Sequence, residues 1–200
     1  MSVSPFKIAT EDLNYLNLGH NLELGNSVRD FFNDPANDYL WLISTVRQTV
    51  THALRHTESI NLRYLDGGEK YKTTTEANQH MEVATSSASL IPVFKYAVEW
   101  FTEILKSTGA DNVEFGRVFI SKLAPRAKID LHTDEGRYFS HYDRFHFTVT
   151  AADENVFCIR GEQCILQPDT LYWVNNHVPH WLENKSDIAR INFIIDARLT

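Results

Sequence analysis

Two hydrophobic periods divide the chain near Asn112. Before that point apolar residues recur every three or four positions. In residues 37–57, Leu40, Ile43, Val46, Val50 and Leu54 fall on one side of a helix, and in residues 90–109 Phe94, Val98, Phe101 and Leu105 do the same before a terminating glycine. After that point apolar and polar residues alternate. The segments VEFGRVFISKL, KIDLH, RFHFTVTA, NVFCIRG, EQCILQ, DTLYWVN, HWLEN and ARINFIIDA read as a succession of short strands separated by turn residues, the pattern of a sandwich or small barrel. The expected fold is therefore mainly β with flanking α-helices. It is an antiparallel jelly roll buttressed by N-terminal helices, in one domain over residues 1–200: a helical and mixed part over 1–111 and the strand core over 112–200. Residues 65–89 open on a Gly-Gly turn, are rich in Thr, Ser and Ala, and have no period; a loop with a short strand at 71–75 is expected, forming part of a lid.

Alternation also says which side chains share a face. In KIDLHTD it puts Asp130, His132 and Asp134 together, in RFHFTVT it puts Arg144, His146, Thr148 and Thr150 together, and in ARINFIID it puts Arg190, Asn192 and Ile194 together. Such faces can point at water. These, however, carry Arg, His, Asn and Thr while Lys and Glu are scarce, which suits the inside of a barrel that encloses a small anion or a metal.

Composition narrows the class. A formal charge of −7 with no Lys/Arg cluster excludes a nucleic-acid surface, and no stretch has the apolar length of a membrane span. The N-terminus lacks the basic start and apolar run of a secretory signal, so a cytoplasmic protein is expected. Cys158 and Cys164 match no zinc or redox spacing and read as buried thiols.

Nine histidines compete for a chemical role. His52 and His56 are one helical turn apart, but no glutamate follows His52 as in a metalloprotease helix, and they read as an exposed helical face. His-x-Asp occurs at His132 and Asp134 and again at His141 and Asp143, and chance alone can supply such a triplet. A triad of two histidines and one carboxylate, the ligand set that leaves Fe(II) three open positions, requires a further histidine from a distant strand.

Read together, Ser121, Pro125, His132-Thr-Asp134, Arg144-Phe-His146, His180, Asn184 and Arg190 fall in one order over residues 117–198. This region resembles the aspartyl/asparaginyl β-hydroxylase family of Fe(II)- and 2-oxoglutarate-dependent oxygenases, which includes proline and lipid A hydroxylases. The fold it implies is a double-stranded β-helix, jelly-roll and cupin-like. Family register favours His132 over His141, which is almost adjacent to Arg144, and His180 over His177, which lacks the Asn and Arg that follow. By resemblance, His132, Asp134 and His180 bind Fe(II), Arg190 with Ser121 holds the distal carboxylate of 2-oxoglutarate, and His146 and Arg144 contact its other carboxylate or an acidic group of the substrate. Arg190 also has a physical case of its own: a guanidinium turned inward between apolar neighbours needs an anion, either a ligand carboxylate or an Asp or Glu of the chain. Arg137, Tyr138 and His141, in the loop EGRYFSHYD, are the candidates for substrate contact.

The founding members of the family lack the carboxylate ligand, so Asp134 places this chain nearer the proline-hydroxylase-like members. The resemblance implies hydroxylation of an unactivated C–H bond of an amino acid or an Asp/Asn-like residue, with O2 as co-substrate and with succinate and CO2 as co-products. Two other readings remain at this point: hydroxylation of a lipid or other small metabolite, and a cupin-like binding or sensing protein without turnover. Residues 1–111 carry no resemblance, and oligomeric state has no signature in the sequence.

Overall fold

The computed structural model describes residues 10–43, 52–65, 81–83 and 91–200. Its elements in chain order are β1 (Tyr15–His20), α1 (Leu22–Asn33), β2 (Thr57–Leu65), β3 (Met81–Val83), α2 (Ile91–Lys106), β4 (Val113–Leu123), β5 (Lys128–His132), α3 (Arg137–His141), β6 (Asp143–Thr150), β7 (Asn155–Ile159), β8 (Glu162–Cys164), β9 (Thr170–Val174), β10 (His180–Asn184) and β11 (Arg190–Leu199). A 7-stranded sheet, ordered β1-β9-β6-β11-β4-β2-β3, faces a 4-stranded sheet, ordered β5-β10-β7-β8. Every paired strand among the described residues is antiparallel. This is the expected jelly roll with helices against one sheet.

Period two decides which face of the large sheet meets what. Phe145, Phe147 and Val149 of β6, Phe193 and Ile195 of β11, and Val118 and Ile120 of β4 are buried on the outer face, beneath Leu24 and Val28 of α1 and Ala97, Phe101 and Leu105 of α2. Phe101 meets Phe147 and Phe193 edge-on, with centroids 6.0 and 5.9 Å apart. Each such ring, removed from water, stabilises the layer by about 1.5–3 kcal/mol. A smaller core, with Leu123, Phe157, Leu166, Tyr172 and Leu182, fills one part of the space between the sheets. The rest of that space is lined by polar residues of the inner face, and there the site lies.

The helix expected over 37–57 is not a helix where it is described. Pro35–Leu42 is a 3-10 helix, opened by the Asp34 side chain accepting from the Ala36 N–H, residues 44–51 lie outside the described residues, and His52–Leu54 is a single 3-10 turn. Within this 3-10 helix Leu40 and Trp41 are buried, the latter against Phe32 at 4.7 Å. His52 and His56 are exposed, as expected, but on this turn and its flank rather than on a helix. β1, α1 and β2 were not anticipated. In β2, Ile60 and Leu62 alternate with Ser59 and Asn61, a strand pattern hidden behind the helix-like run. The strand expected at 71–75 lies outside the described residues. Within the anticipated loop 135–143, Arg137–His141 form a short helix after Gly136, whose φ of 101° favours glycine.

Candidate active site

Strand pairing brings the sequence candidates together from distant positions. His180 on β10 sits opposite His132 on β5, their rings 4.3 Å apart, and Asp134 follows β5 by two residues. One ligand atom from each of His132, Asp134 and His180 lies within 4.8 Å of the others. The histidine Nδ1 atoms are 2.7 Å from the Asp130 carbonyl and 2.9 Å from the Val178 carbonyl. A carbonyl only accepts, so each Nδ1 carries the proton and each Nε2 is left as a donor atom for a metal.

The alternation reading needs one correction here. The β5–β10 register shifts between His180 and Leu182, so that Leu182 faces Ile129 and His180 faces His132. This bulge turns Ile129 and His132 into the same cavity, while Asp130, expected beside His132, pairs with Arg55 at 2.7 Å and Lys128 at 3.0 Å.

Across the cavity stand the inner residues of the large sheet. Ser121, Arg144, His146, Arg190 and Asn192 line it together with the three clustered residues. Apolar walls come from Leu54, Ile129, Phe157, Trp181 and Leu182. Arg137, Tyr138 and His141, the expected substrate contacts, do not line it. Arg137 is exposed, Tyr138 turns its hydroxyl to Asp196 at 3.1 Å, and His141 lies 3.6 Å from Glu114.

The two inward arginines differ. Arg144 donates to Asp134 at 2.6 Å and, through Nε and Nη2, to both oxygens of Asp196 at 2.7 and 3.0 Å, so its guanidinium is already engaged by carboxylates of the chain. Arg190 is 3% exposed, has no ion pair among the described residues, and leaves Nη2 without a hydrogen-bond partner. Burial pulls its pKa down to about 10. Around it Asn192 Oδ1, Thr148 Oγ1 and Ser59 Oγ are also buried without partners, and strand register places Ser59, Ser121, Asn192 and Thr148 in one row across the sheet. Buried polar atoms are normally paired, so this concentration could satisfy a polar ligand: the guanidinium and the hydroxyls can donate, and Asn192 Oδ1 can accept.

Electrostatics keeps Asp134 and His180 in their metal-binding forms. Burial opposes ionisation of Asp134, but Arg144, the Asn176 amide and the two histidines outweigh it and hold its carboxyl down at about 2. Burial and the neighbouring His132 pull His180 down to about 4. Burial, then the charges of Arg190 and Arg144, push His146 well below its usual value. At neutral pH the site presents an ionised carboxylate and a neutral His180, as a divalent cation requires.

Two participants, Asn176 and Asp196, were not singled out from the sequence. Asn176 donates to Asp134 Oδ2 at 3.0 Å and accepts the Asp134 N–H at 2.9 Å; nothing in its local pattern signals this. Asp196 could have been found, since it continues the parity of Arg190, Asn192 and Ile194. Asn184 proves to be a structural clamp, donating to the Ala124 and Ile188 carbonyls and accepting from Ser186.

A model of the aspartyl/asparaginyl beta-hydroxylase family matches residues 70–199, well over half of the chain. The chain belongs to this family. It is thus an enzyme of the hydroxylase type, and aspartyl/asparaginyl β-hydroxylase membership and the jelly roll agree. No curated protein matches it significantly in sequence. Among solved structures it is similar to a 2OG-Fe(II) oxygenase family oxidoreductase from Burkholderia pseudomallei, with a TM-score of 0.59, 11% identity, and coverage of 96% of this chain and 88% of that one. It is also similar to the viral collagen prolyl hydroxylase of Paramecium Bursaria Chlorella virus-1, with a TM-score of 0.53, 11% identity, and coverage of 95% and 98%. A third is a Pseudomonas putida prolyl-4-hydroxylase, with a TM-score of 0.50, 12% identity, and coverage of 98% and 96%. At these identities the likeness is one of fold. No described helix is long and apolar enough to cross a membrane.

Proposed function

We propose that this β-hydroxylase family member is an Fe(II)- and 2-oxoglutarate-dependent dioxygenase that hydroxylates an unactivated C–H bond of an amino acid or an Asp/Asn-like residue, releasing succinate and CO2. The observation that carries the reading is the pairing, in one cavity, of the His132, Asp134 and His180 cluster with a buried arginine that has no ion pair among the described residues. Two imidazoles and one carboxylate suit Fe(II) and leave positions open for co-substrate. Bound iron supplies the coupling of 2-oxoglutarate decarboxylation by O2 to oxygen transfer onto the C–H bond.

The chain's own residues do the rest. His132 and His180 present Nε2 because their Nδ1 protons are held by backbone carbonyls. Asp134 offers one oxygen, since Arg144 and Asn176 occupy the other. Arg190, with Ser121 and the row that includes Asn192 and Thr148, supports the role of receiving the far carboxylate of a dicarboxylic co-substrate in a bidentate grip. Phe157, Leu182 and Ile129 keep water from the reacting end. The same apolar wall favours, as the second reading, a lipid or another hydrocarbon-bearing metabolite.

Anaerobic titration of metal-free protein with Fe(II) and then 2-oxoglutarate, followed by succinate detection with a panel of amino acids, peptides and lipids, tests this. Saturable binding of both and substrate-dependent succinate are expected. Absence of metal binding, or binding unchanged in His132→Ala, sinks the assignment.

A further inference from the structure

We propose that Asp196, braced by Tyr138, is a positioning residue that, through Arg144, sets the orientation of the Asp134 carboxylate and the net charge around it. The inference rests on the metal-site reading above. Arg144 uses all three nitrogens of its guanidinium: Nη1 holds Asp134 at 2.6 Å, and Nε with Nη2 grips Asp196 in a two-bonded fork at 2.7 and 3.0 Å. The fork fixes the guanidinium plane, and the plane fixes which oxygen of Asp134 is covered. Arg144 and Asn176 both address Oδ2, which leaves Oδ1 uncovered by either.

Charge gives Asp196 a second role. Arg144 alone would cancel Asp134, and a neutral ligand set attracts a divalent cation weakly. With the Asp196 side chain 1% exposed beside it, the group Asp134, Arg144 and Asp196 carries a net charge of −1. In a cavity this poorly solvated that remaining charge is felt strongly at the metal position.

Tyr138 links this relay to the helix that follows the metal carboxylate. Its hydroxyl donates to Asp196 Oδ2 at 3.1 Å and accepts the Arg117 N–H at 2.7 Å. Gly116 is what lets it in: a Cβ there would lie 2.6 Å from the Tyr138 oxygen. The neighbouring Phe139 ring lies under the Arg144 guanidinium at 4.8 Å. Residues 134–139 thus run from the metal carboxylate directly to the two side chains that brace its arginine.

The test is Mn(II) affinity of metal-free protein by calorimetry, followed by 2-oxoglutarate affinity of the Mn(II)-saturated protein, for wild type, Asp196→Asn and Tyr138→Phe. Asp196→Asn should weaken Mn(II) about 10–100-fold, the range seen for groups behind a ligand, and leave 2-oxoglutarate affinity within about twofold. Tyr138→Phe, which keeps both ion pairs and serves if Asp196→Asn does not fold, should weaken Mn(II) by about threefold with the same indifference to 2-oxoglutarate. Equal Mn(II) affinity in folded variants overturns the inference while leaving the metal site standing, and so does a parallel loss of both ligands, which means general damage. A wild-type protein that binds no Mn(II) overturns the metal reading and this inference with it.

Discussion

The two arginines that face the cavity stand in opposite electrostatic states. Arg144 lies between two carboxylates, whereas Arg190, more deeply buried, has none among the described residues. Burial opposes the charge of both, yet the carboxylates raise the pKa of Arg144 while that of Arg190 falls to about 10. Folding has therefore paired one arginine with the chain's own carboxylates and left the other without one among the described residues. The same residue type, on neighbouring strands and the same face, thus performs two tasks, and only the surroundings tell them apart.

The sharpest way to break this contrast is to remove Arg144. In Arg144→Met two buried carboxylates lose their shared cation, and uncompensated buried charge costs about 3–5 kcal/mol. The urea midpoint of the metal-free variant should fall accordingly at neutral pH. A loss below about 1 kcal/mol would mean that Asp134 and Asp196 are solvated and that the arginine is incidental.

Arg190→Met should act in the reverse sense. No carboxylate is abandoned, so the metal-free variant is expected to unfold at or above the wild-type urea midpoint. Affinity for 2-oxoglutarate should fall by about 30-fold or more, the 2 kcal/mol low end for a buried charged contact, while Mn(II) affinity is kept. Destabilisation without any effect on 2-oxoglutarate would give Arg190 an internal partner instead.

How much of this could be read from the chain depends on what each feature requires. The strands of residues 112–200 were legible because one buried face imposes period two on each of them, as Phe145, Phe147 and Val149 against Arg144 and His146 illustrate. The N-terminal strands were not, because β2 follows an apolar spacing that equally suits a helix, and β1 pairs with β9, far away in sequence. Within the site, alternation and the order of the motif named the cavity-lining residues, but it misjudged Asp130, since a bulge leaves no trace in composition. It assigned Arg144 to an acidic group of co-substrate or substrate and gave no sign of a partner within the chain. Its partner Asp196 lies 52 positions away, and pairing at that range is set by tertiary structure alone.

The weakest expected effect concerns the titration of His146, which sits between the two arginines' fields. His146 is held well below its usual value by burial, Arg190 and Arg144, and His180 is held at about 4. For a group whose folded pKa is depressed, the unfolded chain takes up a proton first, so stability is full above the unfolded value near 6.5 and falls as pH drops below it. Asp134 contributes nothing in this window, because its shift operates only between 3.8 and about 2. The metal-free protein should therefore lose stability between pH 6.5 and 4 with a slope that reports both histidines, about 1.4 kcal/mol per pH unit for each. His146→Gln removes one of them. Urea unfolding across that range should show the slope reduced by about 1.4 kcal/mol per unit, and an unchanged slope would mean that His146 takes up its proton in the folded protein as readily as in water.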